Sequence, residues 1–188
     1  MSDDSVWIPA GSHTVGPFFR IGLDYLIERS PALTLDTPGT IEIRGRVLDR
    51  DGAPVPDAML EFWCAEAEDR FGANAEQVGF PAGFRRAATN AEGSFSVVMQ
   101  RPAKVLAGSG LNQAPHLLVL VFARGLLRHL IARVYLGDEP GNESDCVLSG
   151  IPAARRATLI ARPDAERPGV YEWDVILQGT AETVFFAW

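Results

Sequence analysis

From residue 40 onward, short apolar runs alternate with polar or small residues, and that period of two predicts strands. Thr40–Asp49 sets Ile41 and Ile43 against Glu42 and Arg44 and ends at the turn Asp49 to Gly52. Further strands are expected over Ala58–Cys64, Phe84–Thr89, Ser94–Gln100, His116–Ala123, Leu130–Leu136, Ala157–Ala161, Gly169–Gly179 and Thr183–Phe186. Many short strands, frequent turns and scarcely any helical period predict an all-β domain over residues 41–188, an antiparallel β-sandwich. The loops 65–83 and 101–115 are too long for plain hairpins and become candidate functional rims.

Residues 1–40 lack such periodicity and are punctuated by Pro9, Gly11, Gly16, Pro17, Gly22, Pro31, Pro38 and Gly39, which predicts an irregular N-terminal arm. Phe18, Phe19 and Ile21 in it need another surface to pack on. One or two helical turns are expected over Leu23–Arg29.

The stretch Ala114–Gly125 carries the chemistry. Its apolar run predicts a strand central in its sheet and buried on both faces. Alternation places His116, Leu118, Leu120, Phe122 and Arg124 on one side and Leu117, Val119, Val121 and Ala123 on the other. A His-x-His pair here would direct two imidazoles at one metal ion, but the second position is Leu118, which has no lone pair to give. His116 alone reads as a hydrogen-bonded structural residue at a strand end.

Composition narrows the partners. The 188 residues suit one domain. A formal charge of −7 and a pI near 4.9 exclude nucleic acid and anionic membranes as partners, so an anionic ligand would need a local arginine. The longest apolar run, Leu117–Ala123, is too short to span a membrane, and MSDDSVW is not a secretory signal. Cys64 and Cys146 are expected as free thiols in a cytoplasmic protein.

Several motifs together resemble a known family: SHTVGPFF (12–19), GRVLDRDGAPVPDAMLEFWCAEAE (45–68), APHLLVLVFARG (114–125), RVYLGDE (133–139), RRATLIAR (155–162) and ETVFFAW (182–188). In order and from arm to last residue, they are similar to the intradiol ring-cleavage dioxygenases. The family's catalytic chains hold Fe(III) by two tyrosines and a His-x-His strand. His116 matches the first histidine, Leu118 replaces the second, and no tyrosine lies between Trp63 and His116. Tyr25, Tyr135 and Tyr171 all fall outside that interval.

The resemblance therefore implies a non-iron-binding alpha chain without catalytic residues of its own. A homologous beta subunit would hold Fe(III) in an αβ protomer of a higher oligomer that cleaves protocatechuate with O2. The arm, residues 1–40, would dock on that partner. Thr14, Gly16, Pro17, Phe18 and Arg124 would line the substrate pocket, although the family usually has tyrosine at the Phe18 position. Two other readings stand beside this one: a self-sufficient dioxygenase with an unusual iron site, and a non-enzymatic transthyretin-like binding module.

Overall fold

The computed structural model describes residues 11–28, 33–65, 83–106 and 112–187. The rim loop 65–83 lies largely outside the described residues, as does Trp188, whereas the loop 101–115 is described apart from 107–111 and carries two short strands. The strands are β1 (Thr40–Leu48), β2 (Met59–Cys64), β3 (Phe84–Ala88), β4 (Ser94–Gln100), β5 (Val105–Leu106), β6 (Asn112–Gln113), β7 (His116–Phe122), β8 (Leu130–Leu136), β9 (Ile160–Pro163), β10 (Val170–Glu172) and β11 (Val175–Ile176). β5 and β6 form a separate two-stranded ribbon, and the other nine form one sheet.

The all-β expectation holds, but the sheet is mixed and curled rather than a purely antiparallel sandwich. β10 and β11 lie parallel to β1, and β9 lies parallel to β8. The remaining ladders, β1–β4, β2–β3, β2–β7, β7–β8 and β9–β10, are antiparallel. Parallel pairing is a long-range choice that no local pattern encodes, because the partner of β1 lies more than a hundred residues downstream. The curl brings β3 against β4 and sets Phe62 of β2 5.9 Å from Phe95 of β4, across the core. Leu117, Val119 and Val121 of β7 are wholly inaccessible in that core. Burying each aliphatic side chain there contributes about 2 kcal/mol.

The expected strand Gly169–Gly179 is broken into β10 and β11, and Gly45 explains the break. A Cβ on Gly45 would lie 1.8 Å from the carbonyl oxygen of Trp173, so only glycine lets the two backbones meet there. Register with β1 is unchanged across the gap. Asp174 bridges it by accepting the Arg46 N–H on Oδ1 at 2.8 Å. Ala157–Leu159 is a 3-10 turn instead of the expected strand start, and Thr183–Phe186 runs alongside without strand pairing, anchored by Phe186 N–H to the Ile131 carbonyl at 2.7 Å.

The arm is not irregular throughout, because Pro17–Glu28 forms helix α1. Gly16 takes a left-handed φ of 67°, and Pro17 follows as first helical residue, where its fixed φ and missing N–H cost nothing. Phe19, Leu23 and Leu26, at helical spacing, are half-buried and face the body. α1 packs over β3, and Phe19 meets Phe122 with ring centroids 5.1 Å apart. The opposite face leaves Phe18 79%, Ile21 57% and Tyr25 54% exposed.

β7 is central, between β2 and β8. Its Leu117 face is core, but the His116–Phe122 face is only half-buried, which corrects the expectation of burial on both sides. Among the described residues the arm covers just the Phe122 end.

Candidate functional site

The predicted site residues divide between the two ends of β7. At its start, His116 is half-buried and donates from Nδ1 to the Ala114 carbonyl at 2.8 Å, which fixes the tautomer because a carbonyl only accepts. Burial, and secondarily the nearby Arg133 guanidinium, lower its pKa. Its ladder partner is Tyr135, 5.4 Å away between ring centroids. Leu118 pairs in turn with Arg133. That guanidinium donates to Gln113 Oε1 at 2.7 Å and to the Tyr135 hydroxyl at 3.4 Å.

Behind them sits Asp145, 1% exposed. Asp145 Oδ1 caps the short helix α2 (Cys146–Gly150) by accepting the Val147 and Leu148 N–H groups, and it also accepts the Tyr135 hydroxyl. Asp145 Oδ2 takes the Ala114 N–H at 2.8 Å. Desolvation, only partly opposed by Arg133, pushes the Tyr135 phenol up to about 12, so it serves here as a neutral hydrogen-bonding group.

This end does not fit a ferric ion. A single imidazole offers one lone pair, a hydrocarbon stands at the next ligand position, and a fixed guanidinium faces both, which would repel a metal cation. Among the described residues no cluster of three or more His, Cys, Asp or Glu could hold one.

The other end, about 20 Å along the strand by its rise per residue, gathers the remaining predicted residues. The Thr14 hydroxyl accepts the Gly125 N–H at 2.7 Å, tying the arm to the turn after Arg124. Gly16 and Pro17 follow at the head of α1, and Phe18 points outward from it. Arg124 is 58% exposed, with Nε 3.7 Å from Oδ1 of Asp57. No other partner of that guanidinium occurs among the described residues. An open groove of about 580 Å³ runs beside this cluster, lined in part by Val15, Phe122, Leu126, Leu127 and His129.

The structure thus brings Thr14, Gly16, Pro17 and Arg124 to one end and separates them from His116 and Leu118. Nothing in the local sequence marks Asp57 as part of this end. The signal for it is the β2–β7 register, in which Met59 faces Phe122, so that two residues further along each strand Asp57 faces Arg124. Glu61 faces Arg86 across the β2–β3 ladder and pairs with it at 2.6 Å.

Comparison with known proteins gives concordant results. A family model described as dioxygenase matches residues 28–179. The chain is 41% identical to the protocatechuate 3,4-dioxygenase alpha chain of Burkholderia cepacia, covering 93% of this chain and 95% of that one. It is 30% identical to the beta chain from the same organism, over 76% of this chain and 66% of that one. The dioxygenase domain of a carbohydrate-binding fusion protein from Streptomyces sp. SirexAA-E superposes with a TM-score of 0.57 at 22% identity, covering 96% of this chain and 97% of that domain.

Proposed function

Because the chain belongs to the intradiol ring-cleavage dioxygenase family, we propose that it acts as the alpha subunit of a protocatechuate 3,4-dioxygenase, completing a pocket whose metal is held by a homologous beta chain. The observation that carries this reading is the division of β7. The end that would frame a metal is filled by Leu118 and Arg133, while the end bearing the arm and Arg124 presents exposed polar and apolar groups outward.

When bound in the beta chain, ferric iron supplies Lewis-acid activation of the two phenolic oxygens toward O2. This chain's residues supply enclosure and aim. The terminal nitrogens of Arg124 are suited to the ring carboxylate of protocatechuate, a cationic spot on a chain of net charge −7. Gly16 and Pro17 let the backbone pass close to a flat ring. Thr14 holds that backbone in place through Gly125. Phe18 adds an apolar wall, without the hydroxyl that the family's tyrosine would bring.

The exposed Phe18, Ile21 and Tyr25 face of α1 supports docking of the arm on the beta chain, since such a stripe on a free surface is a liability. Cys64 and Cys146 are not joined in a disulfide, in keeping with a reducing, cytoplasmic setting. Expression decides the matter. Purified alone, the chain is expected to be colourless and inactive. Co-expressed with a beta chain, it should yield a red-brown complex that opens protocatechuate between its two hydroxylated carbons. Ring cleavage by the lone chain would overturn the assignment.

A further inference from the structure

Asp57, across the β2–β7 register from Arg124, carries a buried carboxylate oxygen with no hydrogen-bond partner among the described residues. It is the only non-glycine residue with positive φ, at 60°, among the described residues. Its side chain is 14% exposed, and Oδ1, shielded from water, has no hydrogen-bond donor. A buried carboxylate oxygen in a strained backbone persists only where the surroundings over-determine it. Thr89, 1% exposed, does this. Its hydroxyl accepts the Ala58 N–H at 2.9 Å and reaches the Val55 carbonyl at 2.9 Å, while its own N–H donates to the Ala58 carbonyl at 2.9 Å. The turn carrying Asp57 is thereby clamped to the end of β3.

We infer that Asp57 is a positioning residue for substrate recognition: it holds Arg124 from the Nε side, so that the paired terminal nitrogens stay turned outward for a carboxylate. The inference rests on the reading of Arg124 given above. A guanidinium offers five donors in a rigid fork, and its terminal pair matches a carboxylate bidentately. With Nε drawn to Asp57 at 3.7 Å and the following backbone N–H of Gly125 held by Thr14, the base of Arg124 is tied and its Nε edge is biased toward Asp57. Two effects of Asp57 oppose each other. Its charge weakly repels an anionic ligand, whereas its hold on Arg124 removes rotamer freedom before binding. The repulsion acts past the intervening guanidinium, whose opposite and nearer charge outweighs it. Orientation dominates.

The test uses Asp57→Asn in the assembled αβ enzyme, since Asn tolerates positive φ and removes only the charge. The ratio of kcat/KM for protocatechuate to that for uncharged catechol should fall about fivefold, carried by KM, and should not fall further when Asp57→Asn is added to Arg124→Ala. A selective Arg124→Ala with an unchanged ratio in Asp57→Asn, or a lower KM in the latter, overturns this inference alone. An Arg124→Ala that affects both substrates equally overturns it together with the reading of Arg124. An additive double variant shows that Asp57 acts apart from Arg124 and likewise overturns it.

Discussion

The two ends of β7 belong to one strand, share one hydrophobic alternation and differ in how their polar groups are satisfied. At the His116 end the polar side chains are linked to one another and to the backbone within the chain: imidazole Nδ1 to carbonyl, guanidinium to amide and phenol, phenol to carboxylate, carboxylate to three backbone N–H groups. At the Arg124 end, a guanidinium, a helix start and an apolar groove face outward. A network linked in this way stabilises its own fold and leaves little capacity for a ligand. Groups left short of partners mark where a second molecule completes the structure.

The largest effect that should sharpen this contrast is Asp145→Ala. It orphans the N–H groups of Ala114, Val147 and Leu148 and the Tyr135 hydroxyl, and is expected to cost about 3 kcal/mol in denaturant unfolding. A loss below about 1 kcal/mol would mean that this end is not the closed network described. Next is Thr14→Ala at the opposite end. It should leave stability of the body nearly unchanged yet raise the KM for protocatechuate of the assembled enzyme roughly fivefold, equivalent to one hydrogen bond of about 1 kcal/mol, with Thr14→Ser restoring it. Equal losses of stability and KM would erase the contrast.

The smallest effect is a pH dependence. Burial lowers the pKa of folded His116 below its ordinary 6.5, so between those two values the unfolded chain binds the proton more readily. Stability should therefore fall as pH drops through 6.5 and level off once the folded pKa is passed. His116→Gln should flatten that slope in urea titrations at several pH values. An unchanged slope would assign it to another group.

Much of this was legible in residues. Ser94–Gln100 and Leu130–Leu136 match β4 and β8 residue for residue because alternation encodes which face is buried. Leu118 already announced an incomplete metal frame. The helical turns expected from Leu23 fall within α1, but its first half is masked in the sequence because Gly16, Pro17 and Gly22 read as breakers, although Pro17 at a first helical position starts a helix and Phe19, Leu23 and Leu26 are spaced for one. The parallel strands were hidden for a different reason: Gly45 receives the Trp173 carbonyl from far along the chain, and no neighbouring residue hints at it. Arg133 and Asp57 gained meaning only from register, which sets one opposite Leu118 and the other beside Arg124.

Iron-edge anomalous diffraction from crystals of the assembled αβ enzyme would settle which end of β7 serves the metal. One iron peak per αβ pair is expected, ligated by the beta chain alone and lying on the side faced by Thr14, Gly16 and Arg124. An iron peak bonded to His116 of this chain would contradict the account.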